Sequence, residues 1–309
     1  MIREALYLML GLVGVLTTAS ATAGALAWRA RQPSPTLVNL RERIRAWWVM
    51  VAVICAAFLI GDGGVVLLFA FVSFAALREY VTLTHFHRSD HWVLLGMFLI
   101  VLPAQYFLIW WEWYGLYTIF IPVYCFLVMP AVAAVLGDTD RFLERVSEQQ
   151  WGVMLAVYCI SHIPALATLE IPGFDDRRLL LIAFLIITVQ GSDVLQYIFG
   201  KLFGRHLLSP RVSPSKTWEG LIGGIAAASA LGGALYWLTP FGPAGAAALA
   251  ALSCLMGFLG GLVASAVKRD RGIKDWGHLI QGHGGMLDRA DSLIFAAPVF
   301  FHIVRFTAT

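Results

Sequence analysis

Three observations predict an all-α, polytopic integral membrane protein of about ten transmembrane helices with its active-site loops on the cytoplasmic face. The 309-residue chain is 59% hydrophobic and only 13% charged, with a mean hydropathy of +0.76, which leaves too little polar surface to coat a soluble globule. Its apolar runs are near 20 residues long, enough to cross roughly 30 Å of hydrocarbon, whereas a β-barrel shows alternating segments of about 10 residues. Finally, its cations recur on every second connection. The net charge of +3 is modest, and no nucleic-acid partner is expected.

In order, the expected spans run over roughly 5–28, 46–61, 63–81, 91–111, 115–136, 151–169, 179–199, 218–238, 244–267 and 288–306. The first outlasts a secretory signal's apolar region, has only Arg3 before it and ends in Trp28-Arg29, so it is read as a span. Arg31-Gln32-Pro33-Ser34-Pro35 is linker-like. Arg41, Arg43 and Arg45 beside Trp47-Trp48 read as a positive-inside anchor with an aromatic belt, the alternative being an amphipathic segment lying on anionic headgroups. Gly61-Asp62-Gly63-Gly64 makes a tight hairpin of spans two and three, and Glu112 among Trp110, Trp111 and Trp113 marks an outer interfacial belt. Cys55, Cys125, Cys159 and Cys254 each fall within an apolar run and read as small buried hydrophobes. All but four of the 22 Lys and Arg residues, the exceptions being Arg3, Arg177, Arg178 and Arg305, belong to one face. The positive-inside rule makes that face cytoplasmic and puts the protein in the inner (cell) membrane with its N-terminus outside. Residues 1–178 form an N-terminal transmembrane region and 179–309 a C-terminal catalytic one.

Chemistry concentrates in the C-terminal region. Asp193 lies near the end of an apolar span, where a carboxylate is costly unless paired, hydrated or bound to a cation; Gln190, Asp193 and Tyr197 have the spacing of one helix face. The next loop carries Ser213, Ser215, Lys216 and Thr217. The hydroxyls are candidate caps for a helix starting near Thr217, and Lys216 beside that helix start is an anion site. Glu219 suits the same helix dipole. The second loop runs from Ser265 through Lys268, Arg269, Arg271, Lys274 and Asp275 to His283-Gly284-Gly285, and then Asp288, Arg289 and Asp291. Glycines let backbone N–H groups approach an anion, and two carboxylates at i, i+3 on one helix face repel each other, which a divalent cation relieves. Oxygen-only ligands beside phosphates point to magnesium; a salt bridge from Arg289 is the competing account of the aspartates.

These residues resemble the signature of phosphatidate cytidylyltransferases, S-x-x-K-R-x-x-x-x-K-D followed after a short spacer by H-G-G-x-x-D-R-x-D. Ser265, Lys268, Arg269, Lys274, Asp275, His283, Gly284, Gly285, Asp288, Arg289 and Asp291 stand in register with it. The upstream element is similar to Asp193, Phe199-Gly200-Lys201-Leu202-Phe203-Gly204 and Ser213-Pro214-Ser215-Lys216-Thr217-Trp218-Glu219-Gly220, while Ala76-Leu77-Arg78-Glu79 is a short further likeness. The resemblance implies transfer of CMP from CTP to phosphatidic acid in a lipid bilayer, giving CDP-diacylglycerol and pyrophosphate, by a protein acting alone or as a homodimer. It implies catalytic roles for Asp288, Lys268, Asp275, His283 and Asp291, and substrate binding by Ser213, Lys216, Ser265, Arg269, Lys274, Gly284, Gly285 and Arg289. Magnesium, alone or with a second cation, would be held by Asp288, Asp291, Asp193 and Asp275. The chain departs from the family's usual G-D-L-x-x-S: Gly261 stands where a metal-binding aspartate is common, so another carboxylate completes the site or the chemistry is altered. Val194-Leu195-Gln196 also replaces smaller residues, as in a divergent branch. The alternatives are a CTP-dependent polyprenol-type kinase and a non-catalytic scaffold or transporter.

Overall fold

The computed structural model describes residues 2–29, 35–84, 87–277, 279 and 284–309. Ten helical elements follow one another: α1 Ile2–Arg29, α2 Pro35–Ile60, α3 Asp62–Thr82, α4 Arg88–Trp110, α5 Tyr114–Val135, α6 Phe142–Thr168, α7 Asp175–Phe203, α8 Trp218–Ala234, α9 Pro243–Asp270 and α10 Met286–Ala308. Among the described residues, nine of these are long and apolar enough to cross a bilayer. The exception is α8, whose 17 residues give way to a 3-10 turn at Tyr236–Leu238 and then Pro240, so the expected span 218–238 is helical over a shorter length. It still joins the two ends of the bundle, because about 1.5 Å of rise per residue carries it most of the way across the hydrocarbon. Arg41 to Arg45 continue into the second span within a single helix.

Contacts between chain-distant residues define those ends. At one end, His87 meets Asp138 at 3.3 Å and Arg271 pairs with Glu148. At the other, Arg178 lies 3.7 Å from Asp62, and the Arg305 guanidinium sits 3.5 Å from the centre of the Tyr114 ring. The connections that follow α3, α5 and α9 therefore meet at one end, as the alternation of cations requires.

Burial grades across the bundle. The apolar window of α6 is 78% buried, against 11% and 6% for those of α1 and α2, which places the first hairpin at the periphery. Three helices contain π turns, Met97–Val101, Phe120–Cys125 and Met154–Cys159, each at or shortly before a proline (Pro103, Pro122, Pro164) that removes a helix N–H. Pro130 likewise frees the Phe126 carbonyl, which accepts a hydrogen bond from Gln150 Nε2 at 2.9 Å, as backbone away from water requires. Helices α9 and α10 approach closely because α9 presents glycines: a Cβ on Gly260 would lie 2.8 Å from the Asp291 carbonyl, and one on Gly257 3.1 Å from that of Ser292. That contact fixes where Asp291 stands. Cys125, Cys159 and Cys254 are buried and Cys55 half-buried, all as free thiols.

One polar network closes the end of the bundle around α6. Arg145 donates to Asp138 Oδ2 at 2.8 Å, to its carbonyl at 2.7 Å and to Ser89 Oγ at 2.8 Å, and lies 3.6 Å from Asp90, which accepts from Gln149. The Ser89 hydroxyl, ahead of the Asp140 N–H, holds Asp138 well below the usual carboxylate range. Its stabilising contribution is therefore complete above the ordinary carboxylate pKa and disappears as pH falls through the depressed one. Arg145→Ala, which leaves Asp90 buried without its cation, should cost about 3–5 kcal/mol. Thermal melting of purified protein should show a clear loss at pH 7, and the gap between wild type and variant should narrow on acidification as Asp138 protonates.

Candidate active site

The segment between α9 and α10 is fastened at several points. Gly272 turns the chain with φ +68°, Arg271 pairs with Glu148 of α6, and Trp276 is buried, stacked on Tyr80 of α3 with ring centres 5.8 Å apart. Helix α10 then starts after Gly285. Its first amides carry the partial positive charge of a helix N-terminus, and protein carboxylates take them up. Asp288 Oδ2 accepts from Gly285 N at 2.9 Å and from Trp276 N at 2.7 Å. Glu79, reaching across from α3, accepts from Met286 N through Oε1 and from Leu287 N through Oε2, both at 2.8 Å. The other oxygen of Asp288 receives Lys268 Nζ at 2.8 Å in a pair that is almost wholly buried. The amides expected to face an external anion are thus partly engaged inside the protein.

A second charged group lies beside it. Asp193 of α7 and Asp291 of α10 act on each other electrostatically, and Lys216 and Arg289 act on both; Lys268 also bears on Asp291. Asp193 bonds the Ser292 side chain, and Gln190 Nε2 donates to the Arg289 carbonyl at 3.1 Å and to Ser292 Oγ at 3.3 Å. Tyr197, expected on the same face, is exposed as Asp193 is, with Lys201 5.9 Å above its ring. Burial pulls the Lys216 pKa down, while Asp193 and Asp291 draw it back up. Its ammonium lies 4.4 Å from the centre of the Phe258 ring. Asp193 keeps exposed surface and Asp291 is half-buried. The buried Nε of Arg289 has no acceptor among the described residues. The expected i, i+3 pair therefore divides: Asp288 is neutralised by Lys268, and Asp291 is coupled electrostatically to Asp193.

The donor set suits a hard cation at Asp193 and Asp291, which supply two carboxylates. No group of three or more His, Cys, Asp or Glu is placed to hold a metal among the described residues, so further ligands would come from phosphate oxygens and water. Asp288 has both oxygens engaged as described, and Asp275 is exposed on its loop.

The remaining predicted residues are placed as follows. Ser213 and Lys216 stand on β2 (Ser213–Thr217), which pairs antiparallel with β1 (Leu207–Ser209). Thr217, the residue immediately before α8, is its cap and accepts from Gly220 N at 3.1 Å, whereas Ser213 and Ser215 stand further back along the strand. Glu219 accepts from Arg205 N and His206 N and meets His206 Nδ1 at 2.6 Å, tying down the loop before β1. Ser265 donates to the Gly261 carbonyl at 2.7 Å, Arg269 caps its own turn through Ile273 O at 3.2 Å, and Lys274 is exposed. Gly284 has φ +84°, and a Cβ there would lie 2.7 Å from Asp288 Oδ2. His283 lies outside the described residues. Gly261 faces the cluster: a Cβ on it would sit 3.4 Å from Lys216 Nζ. Glu79 is not among the expected site residues; its signals in the sequence are a carboxylate near the end of an apolar span and its place in the short likeness Ala76-Leu77-Arg78-Glu79.

Comparison with known proteins shows the family. The model of the cytidylyltransferase family matches residues 41–307, and the chain belongs to that family. It is 40% identical over 286 residues to the uncharacterized protein YnbB of Escherichia coli (strain K12), covering 91% of this chain and 92% of YnbB. It is 45% identical over 123 residues to a phosphatidate cytidylyltransferase of Mycobacterium leprae, 37% of each chain. Against the phosphatidate cytidylyltransferase of Staphylococcus aureus it is 34% identical over 160 residues, 50% of this chain and 61% of the relative. It is therefore a multi-pass membrane nucleotidyltransferase by family, and it spans less than two thirds of these phosphatidate-specific relatives.

An aspartate at position 261 would meet Lys216 directly. Gly261→Asp should pair with that ammonium and weaken binding of CTP by about tenfold, the scale of one partly buried charge contact. Titration calorimetry on the purified protein checks this, and unchanged affinity would place the triphosphate away from Lys216.

Proposed function

We propose that the protein transfers CMP from CTP to phosphatidic acid, forming CDP-diacylglycerol and pyrophosphate at the cytoplasmic end of the bundle. The observation that carries this reading is the cluster of Asp193, Asp291, Lys216 and Arg289, in which the buried Nε–H of Arg289 has no acceptor among the described residues. A phosphate oxygen supplies the missing acceptor. Family membership and the names of the partial relatives support the same substrates.

In this reaction a phosphate oxygen of the lipid attacks the α-phosphorus of CTP. A new phosphorus–oxygen bond forms, the bond from the α-phosphorus to the bridging oxygen breaks, and pyrophosphate leaves with that electron pair. The attacking oxygen is already anionic, so the protein's main task is to reduce repulsion between polyanions, worth about 4 kcal/mol per charge pair at 4 Å with an effective dielectric near 20. Lys216 and Arg289 provide the fixed positive charge for this. Asp193 and Asp291 are the residues that would hold a divalent cation, whose contribution when bound is to neutralise the triphosphate. Lys268 and Asp288 keep the start of α10 in place beside the reacting groups. The site lies at the membrane surface, where the lipid phosphate and a soluble nucleotide meet. That the same end carries most of the cations supports placing it in the cytoplasm.

The purified protein in phosphatidate-containing micelles should release pyrophosphate from CTP. Asp291→Asn and Asp193→Asn should each lower kcat/KM roughly a hundredfold or more, the usual scale for removing a charged group from such a site. Release of CDP in place of pyrophosphate would assign a CTP-dependent lipid kinase, and absence of any CTP turnover would overturn the enzymatic reading.

A further inference from the structure

Glu79 belongs to the N-terminal region, more than two hundred residues in sequence from the start of α10, yet its carboxylate spans the first turn of that helix. Its two oxygens accept separately from Met286 N and Leu287 N, each at 2.8 Å. A carboxylate is the side chain that fits: it has two acceptor oxygens for two diverging donors, and its charge is favourable at a helix N-terminus. A glutamine would offer one acceptor and turn an NH2 group against the second N–H. The surroundings are built for this group. Glu79 is buried, and a Cβ on Gly277 would lie 3.0 Å from its carboxylate and one on Gly285 2.4 Å, so the chain passes at both places where only hydrogen leaves room. The next residue of α3, Tyr80, stacks on Trp276, whose N–H is bound by Asp288.

We infer that Glu79 is a positioning residue, a clamp through which α3 sets the start of α10 and hence the placing of Asp288, Lys268 and Asp291. The effect on catalysis rests on the CTP chemistry proposed above; the clamp itself does not. Neither oxygen of Glu79 is required to touch substrate. Its loss should therefore displace the reacting groups more than it weakens nucleotide binding, lowering kcat while leaving KM nearly unchanged.

The test compares wild type, Glu79→Gln and Gly285→Ala in detergent micelles. In Glu79→Gln, hydrogen exchange at the Met286 and Leu287 amides should accelerate about tenfold or more, as expected when a bond to a charged acceptor is lost, while exchange in α7 and α8 stays as in wild type. Pyrophosphate release should show kcat reduced about tenfold or more with KM for CTP within about twofold. Gly285→Ala, which crowds an intact Glu79, should reproduce both effects, and the double variant should be little worse than either single one. Unchanged exchange at the two amides overturns the clamp, as does acceleration spread equally over all helices. Faster exchange with wild-type kcat overturns its positioning role. If wild type fails to turn over CTP, the functional reading falls while the exchange measurement still decides the clamp.

Discussion

The first turn of α10 is held by two carboxylates, and the rest of the site depends on that capture. Helix N-termini attract anions because their first amides lack intrahelical partners. Here Glu79 and Asp288 satisfy three of them from opposite sides. Asp288 can be buried because Lys268 neutralises it, and Lys268 stands in the last turn of α9, a helix that glycines allow to lie close against α10. Close packing of α9 on α10, the buried ion pair and the capped helix start are thus one construction. With the end of α10 fixed from within, Asp291, one turn further on, is held where its charge acts on Asp193.

This construction separates charges that look alike in sequence. Asp288 and Asp291 are three residues apart and begin the same helix, yet one is spent inside the protein and the other belongs to the cluster with Asp193. The cations divide in the same way. Lys268 and Arg271 are committed to Asp288 and Glu148, and Arg269 bonds its own turn. Lys216 and Arg289 surround the Asp193 and Asp291 pair. A site that binds a polyanion needs positive charge not already neutralised at short range, and these two residues provide it.

Much of this was legible in the residues. Run length and the alternation of cations gave the helical bundle and the end at which its loops meet, because a bilayer imposes both on the sequence. The density of charge after α9 marked the site for the same reason, since ionisable groups beside apolar spans are rarely idle. Which charge meets which was not legible. Pairing depends on how closely helices approach and on the turn at Gly284, neither of which has a periodic signature. Ser213 and Ser215 were drawn into capping roles because their residue types suit a helix start, while the short hairpin of β1 and β2 leaves only Thr217 at that position. Glu79 lies in a different half of the chain from the amides its carboxylate binds, and local pattern cannot report such a contact.

Gly261 illustrates how a departure from a family pattern is read once geometry is known. From sequence, a glycine in place of a carboxylate is simply a missing ligand. In the folded chain its α-carbon points at Lys216 Nζ, which rests against the Phe258 ring and is drawn toward Asp193 and Asp291. An aspartate there would add a third negative charge to two and would neutralise one of the two cations that serve the cluster. The glycine therefore shifts the local balance toward positive charge. For a pocket proposed to receive a triphosphate and a lipid phosphate together, that shift acts in the direction binding requires. The departure thus changes the site's electrostatics and leaves its acid pair, Asp193 and Asp291, in place.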